Sequence, residues 1–394
     1  MSDRLCGSTD TADGKPCRNK AESCPFREHR RQPSAATAPL SAADIEPGEL
    51  LGFSADADFL GRADALPGVE SGAPGMAGHP REFADLLDKA VAATGVDGMN
   101  LVRDYWLTFC LHGIASAGGP EGEIAKGQGR RATPLAKTAF AGGTSLVSAW
   151  DITRRYSEDL DMLALMVDPS ASTSAFKRPL SVVTRWAVEA IGLEKEAVTV
   201  RQMSNVGHRR TLLDMGGTPQ FLKLETTVET YGDGLCEQRE VTSLMGRFAA
   251  PEQLKEYPEL GRFEMLCVTP AYTAANKLDA LHRRAETGDL RGLIIRGRDL
   301  YDLAAIADSD HGSAARAAIP QLAGRAAQSS GTRETIPRPA HGYANSIMFK
   351  SGSETHAALR DGYEQTAHLV WGDFPPFDEA VELAASLDSH KSRA

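Results

Sequence analysis

Apolar residues fall at helical spacing through 81–95, where Phe83, Leu86, Leu87 and Ala90 line up, and this predicts an amphipathic helix. Residues 100–118 give a second, more strongly apolar helix. After a glycine-rich stretch over 118–134, read as a loop, the text from Leu135 to Arg155 predicts a short strand, a glycine turn and a helix. Residues 157–167 follow as a strand, closed by Asp168 and Pro169, and 177–192 as an amphipathic helix. The alternation and the Thr/Val content of 198–215 and 218–230 predict paired strands about a turn at Gly216 and Gly217. Beyond residue 250 the pattern is almost wholly helical. It includes 269–285, opened by Thr269 as N-cap and Pro270 in the first turn, then 298–307 and 375–387. No internal repeat is visible. The order of elements predicts an α/β class, a mixed-sheet unit over 81–250 followed by a helical bundle over 251–394.

A length of 394 residues suits two or three domains. With 42% hydrophobic and 24% charged residues the chain can build a sizeable core. No apolar run approaches the roughly 18 residues of a membrane span, and the first ten residues lack the apolar centre of a secretory signal. The expected location is the cytoplasm, with no membrane partner. A net charge of −10 argues against attachment to nucleic acid by bulk charge, so any such contact has to be local. Two basic clusters qualify: His208-Arg209-Arg210, and the stretch from Lys277 to Arg298 with Arg283, Arg284, Arg291 and Arg296. Glu286 and Asp289 lie within the second, so a solvated, charge-balanced face is the competing reading.

Three of the six cysteines crowd into the first 25 residues. Cys6, Cys17 and Cys24, with His29, form a ligand set able to close a structural Zn2+ site, although the spacing is not a standard finger. The competing reading is a tail with incidental thiols. Residues 1–31 are therefore a candidate zinc-knuckle-like module. Residues 32–80, rich in Pro, Ala, Gly, Ser and Asp without a period, read as a linker.

The chemistry concentrates between residues 142 and 161. Asp159 and Asp161 sit two apart on a strand, so both carboxylates project to one face while Leu160 points away. A repelling pair of this kind is most readily kept where divalent cations sit between the carboxylates. Upstream, Gly142-Gly143-Thr144-Ser145 opens a helix, where free N–H groups, close backbone approach and hydroxyls suit a phosphate. Each half alone is weak: a glycine pair is usually a turn, and an isolated acid pair a solvated strand edge. Their order and proximity point to phosphoryl or nucleotidyl transfer.

Several ordered motifs strengthen that reading: Val102–Thr108, Phe140–Leu146, Arg155–Asp161, Thr269–Leu281, Arg296–Leu303 and Phe374–Leu383. Together they resemble the AbiEii/MenT-like nucleotidyltransferases, toxins of bacterial toxin–antitoxin systems, over roughly residues 82–385. The resemblance implies a DNA polymerase β-like core, Mg2+, an NTP substrate, a cognate antitoxin, and the 3′ end of tRNA as acceptor. It also implies roles for two residues that composition would not single out, a catalytic Lys277 and an acidic Asp299, alongside Asp159 and Asp161. Arg155 and Ser157 match a segment ahead of the acid pair and are candidate phosphate contacts; the plain alternative is a loop that orients Asp159. A third metal carboxylate is expected on a later strand, and Glu225 is the candidate, with an ion pair to Lys223 on the same face as the alternative. The family usually has a glutamate before the lysine. Here the residue is Asn276, which leaves open what holds Lys277. Transfer to a protein or small molecule, and a non-catalytic binding protein of the same fold, are the alternative functions.

Overall fold

The computed structural model describes residues 66–119, 121–126, 133–168, 173–202, 207–216, 221–232, 234–329 and 336–389. The cysteine and histidine cluster Cys6, Cys17, Cys24 and His29, with its Zn2+, lies outside them, as does the expected linker up to residue 65.

Eight strands form one mixed sheet: β1 (Glu123–Lys126), β2 (Thr133–Ala141), β3 (Asp159–Met166), β4 (Val198–Gln202), β5 (His208–Leu213), β6 (Leu222–Thr230), β7 (Cys236–Val241) and β8 (Phe263–Val268). Their order is β4-β5-β6-β3-β2-β8-β7, with β1 pairing β2 at its other end. β3 runs antiparallel to β2 and parallel to β6. The helices are α1 (Pro80–Thr94), α2 (Gly98–Gly118), α3 (Gly142–Ser148), α4 (Thr173–Ala190), α5 (Pro251–Glu256), α6 (Pro270–Glu286), α7 (Leu290–Ile295), α8 (Gly297–Asp308), α9 (Gly312–Ser329), α10 (Glu354–Glu364) and α11 (Phe377–Ser386). The α/β class with a mixed sheet and many helices is the one the patterning predicts.

Strand alternation separates core from chemistry. On β3, Leu160, Met162 and Ala164 are buried in the main core, which includes Leu101, Tyr105, Trp106 and Leu111 of α2 and Leu180, Val183 and Ala187 of α4. Odd positions face the other side, where Leu165 joins Ala139, Ala141, Leu266, Val268 and Tyr272 of α6 in a smaller cluster. Asp159 and Asp161 share that second face, so the same alternation that buries the core turns both acids toward the later helices.

Three departures from the patterning have physical causes. Residues 198–215 form two antiparallel strands, β4 and β5, because the alternation continues across both arms of a hairpin. The loop expected over 118–134 contains β1, a short edge strand with a shifted register. β7 and β8 did not show at all: β7 is polar on both faces at a sheet edge, and β8 is a continuous buried run after its first two residues, so neither alternates.

β8 also carries the sheet beyond the limit drawn at residue 250, and every described residue belongs to one unit spanning 45–394. The end of the expected linker is part of the core. Leu66, Val69, Met76 and Ala77 are buried; Trp106 Nε1 donates to the Pro67 carbonyl at 3.0 Å, and the Met76 amide to Glu259 Oε1 at 2.8 Å. A buried indole N–H needs an acceptor, and this segment's backbone supplies one. Among the described residues no helix is long and apolar enough to cross a membrane.

Candidate active site

The glycine turn is shaped by what presses against it. Gly142 has φ +73°, and a Cβ there would stand 2.0 Å from Asp161 Oδ2; a Cβ on Gly143 would stand 2.2 Å from Nη2 of Arg155. Close approach and a left-handed conformation thus both demand glycine at 142. The hydroxyls that follow are engaged with protein carbonyls: Thr144 Oγ1 donates to the carbonyl of Asp159 at 2.6 Å, and Ser145 Oγ to that of Gly142 at 2.8 Å. Thr144 ties α3 to the start of β3 and Ser145 closes the first turn of α3, so both hydroxyl protons are given to protein carbonyls.

In β3 the two acids differ sharply. Asp159 lies 2.7 Å from Lys223 Nζ and 3.5 Å from Nη2 of Arg298. Burial would raise its pKa, but Arg298 and Lys223 outweigh burial and hold it below the ordinary carboxylate value. Among the described residues no ion-pair or hydrogen-bond partner engages the Asp161 side chain. Its burial, followed by the like charges of Glu225 and Asp159, pushes its carboxyl up to about 7. Glu225 stands in register beside Asp161 and takes Nε of Arg210 at 2.6 Å. The alternative of a Lys223–Glu225 pair is not what forms, since each of these residues pairs with a different strand.

The later helices complete the cluster. Thr269 caps α6, its hydroxyl accepting from the Tyr272 amide, with Pro270 at the first helical position. Two turns on, Lys277 is nearly buried and bonds to Asp299, with Asp302 Oδ2 at 2.8 Å. Asp299 and Asp302 are three apart on α8 and so share a helix face. Burial would raise the pKa of Asp299, yet Lys277 and Arg296, the latter at 3.0 Å, keep it well below the usual carboxylate range. Two acids from α8 therefore hold the lysine, and Asn276 is not needed for that task.

Arg155 is placed differently from the expectation of a phosphate contact. It is 1% exposed, gives Nε and Nη2 to Asp302 at 2.6 and 2.5 Å, and gives Nη1 to the Tyr156 carbonyl at 2.8 Å. Each of its three nitrogens donates to an acceptor inside the protein. Its loop is fixed by bonds to the C-terminal part of the chain, from Tyr156 N to the Leu369 carbonyl and from Trp371 N to the Arg154 carbonyl. Ser157 is half-buried in the same loop.

The structure thus brings Asp159, Asp161, Glu225, Lys277 and Asp299 to one side of the sheet, beside Gly142 and Gly143. Sequence reasoning missed Asp302 and the role of Arg298. The repeat of an acid three residues after Asp299 in Arg298–Asp302 was the available signal. Of the two basic clusters, much is already paired: His208 Nδ1 with Thr227 at 2.9 Å, Arg210 with Glu225, Arg284 with Asp289 at 3.7 Å, and Arg296 with Asp299.

Among the described residues no group of three His, Cys, Asp or Glu side chains is drawn together around a metal position. The donor set nevertheless suits a hard divalent cation. Asp159, Asp161 and Glu225 offer carboxylate oxygens from adjacent register positions, and the half-buried Asp161 has no ion-pair or hydrogen-bond partner among the described residues.

A glycine turn, an acid pair and a buried lysine on one side of a mixed sheet are a donor set that nucleotidyl transfer can use, and the family match makes the chain a nucleotidyltransferase. The family is specific: residues 130–383 match the family described as Nucleotidyl transferase AbiEii toxin, Type IV TA system, and the chain belongs to it. The matched span opens just before β2, so the motif Val102–Thr108 lies outside it. No curated protein matches the chain. Among solved structures, "Structure of E. coli MS115-1 CdnC:HORMA-deltaN complex" is similar at 11% identity, covering 73% of this chain and 87% of that one, with a TM-score of 0.23. A likeness that slight bears on neither site nor substrate.

Proposed function

We propose that this toxin-family nucleotidyltransferase moves the nucleoside monophosphate of an NTP onto the 3′ end of tRNA in the cytoplasm, with Mg2+ held by Asp159, Asp161 and Glu225. The observation that carries this reading is the position of Lys277. Its ammonium is fixed by Asp299 and Asp302, and it is near enough to Asp161 to lower that acid's pKa.

In such a transfer the acceptor hydroxyl displaces pyrophosphate at the α-phosphorus, and negative charge builds on the phosphate oxygens. Lys277 supplies a compact, oriented positive charge for that build-up, and a fixed donor lowers the barrier because it need not reorganise. Asp299 and Asp302 hold the lysine; Arg155 holds Asp302 in turn. The glycine turn fixes Asp161, since nothing larger fits between them. Asp159, Asp161 and Glu225 would hold Mg2+, which when bound would supply positive charge against the charge that develops on the phosphate. A cognate antitoxin, implied by the family, would restrain the activity, and capping of tRNA would stop aminoacylation and growth.

Incubation of the protein with each α-labelled NTP, total tRNA and Mg2+ tests the reading. Label on the 3′ end of tRNA supports it. Label on protein or on a small molecule moves the same chemistry to another acceptor, and absence of transfer from every NTP would remove the catalytic reading.

A further inference from the structure

Two cations stand where the proposed metal carboxylates would otherwise repel one another. Lys223 and Arg210 lie on β6 and β5, on the same face as the acid pair. Lys223 is opposite Asp159 in the β3–β6 register, and Arg210 opposite Glu225 in the β5–β6 register. Each makes a close pair, 2.7 Å for Lys223 with Asp159 and 2.6 Å for Arg210 with Glu225. Asp161, between these two acids, has no such partner among the described residues. Both cations also differ from Arg155 and Lys277 in keeping access to solvent, with side chains 30% and 37% exposed. A cation that must leave its acid and meet an incoming anion needs such access.

We propose that Lys223 and Arg210 are exchangeable counter-cations of this site: they neutralise Asp159 and Glu225 while the site is empty, and pass to the phosphate oxygens of the triphosphate when a divalent cation takes the carboxylates. This rests on the metal and triphosphate reading above and adds two binding residues to it. The driving force is charge conservation. A divalent cation drawn to three carboxylates makes their resident ammonium and guanidinium redundant, and the polyanion arriving with it is the nearest counter-charge for both. Arg298 is part of the same balance but stays with Glu158 as well as Asp159, at 3.7 and 3.5 Å. Lys223 can therefore move without leaving Asp159 bare.

The exchange has a signature in the two ligands, which respond in opposite directions. Removing a resident cation frees a carboxylate for metal and deprives the triphosphate of a partner. The test uses the full chain and the variants Lys223→Met and Arg210→Met, with Lys137→Met as a control. Lys137, on β2, pairs with Glu121, which precedes β1. Mn2+ affinity is read from the free-ion EPR signal without nucleotide, and the affinity of preformed Mg2+–tripolyphosphate by calorimetry. Circular dichroism melts check that each variant is folded.

Expected is Mn2+ binding tightened roughly threefold or more, and Mg2+–tripolyphosphate binding weakened by a similar factor, in both site variants and not in the control. Unchanged affinities, or two affinities moving together, overturn the exchange while leaving the metal and triphosphate reading intact. If the unaltered protein binds neither probe, the reading itself fails and the exchange goes with it. Should Arg210→Met fail to fold, Lys223→Met alone decides.

Discussion

Asp302 accepts Nε and Nη2 of Arg155 at 2.6 and 2.5 Å, and the same carboxylate reaches Nζ of Lys277 at 2.8 Å. Arg155 lies against Gly143 in the first turn of α3, and Lys277 stands on α6. One carboxylate on α8 therefore couples the glycine turn to the lysine, across three segments far apart in sequence. Burial would keep Asp302 protonated, but Arg155 and then Lys277 outweigh it and the acid stays charged.

Removing one member of so buried a group leaves the others without compensation. Asp302→Ala is expected to destabilise the fold by about 3–5 kcal/mol, measured by denaturant unfolding. Replacing both members, as Arg155→Met with Asp302→Leu, should recover much of that loss while transfer activity stays low, since Lys277 has lost an anchor. A loss below about 1 kcal/mol for the single variant would mean that the pair is not what joins the segments.

Gly142→Ala introduces a methyl 2.0 Å from Asp161 Oδ2 at a residue with φ +73°. The backbone strain alone is about 1–2 kcal/mol, which a domain of this size tolerates, whereas the displaced acid cannot keep its place. Transfer should fall by about 100-fold or more, the cost of misplacing a reacting group by an ångström, with the far-ultraviolet dichroism unchanged. Near-normal activity would show that Asp161 need not lie against the turn.

Asp104 provides a pH test away from the acid pair. It is buried in α2, accepts the Leu244 amide at 2.7 Å, and burial pushes its carboxyl up to about 7, against smaller opposing effects of that bond and of Arg247. A folded-state pKa above the unfolded one means the native protein binds the extra proton. This group's stabilising contribution is complete below about pH 4 and is lost as pH rises through 7. Asp104→Asn keeps an oxygen for Leu244 and does not ionise. Its melting temperature should gain on that of the unaltered protein between about pH 4 and 7, by about 2 °C or more, and the gap should be constant above that. A gap that shrinks with rising pH contradicts the assigned direction.

Legibility in the sequence followed the range of the interaction. The common face of Asp159 and Asp161, and the Thr269–Pro270 start of α6, depend on neighbours within one element, and both were visible. Lys277 and Asp299 came from resemblance to a family; their mutual contact required helix packing that no local pattern encodes. Arg155 is a candidate phosphate contact through its match to a family segment ahead of the acid pair, and only the tertiary structure shows Asp302 taking two of its donors. Lys223 and Arg210 are opposed to Asp159 and Glu225 by strand register, which the order of residues along one chain does not reveal. The burial of Leu66, Val69 and Met76 was hidden for another reason: their surroundings are rich in Gly, Pro and Ala, which also compose linkers.

The most direct test of the site is pyrophosphate release from NTP in the presence of tRNA and Mg2+, comparing the unaltered protein with Asp161→Asn and Lys277→Met. Asp161→Asn is close to isosteric and its unfolding temperature should change little, whereas Lys277→Met leaves Asp299 and Asp302 short of a counter-charge and should unfold at a lower temperature, so release is compared where circular dichroism shows each variant folded. Release is expected from the unaltered protein with at least one NTP and to fall about 1000-fold or more in both variants, the scale seen when an oriented charge is removed from a transition state. Release at the full rate from either variant would contradict the convergence of Asp161 and Lys277 on the transferred phosphate.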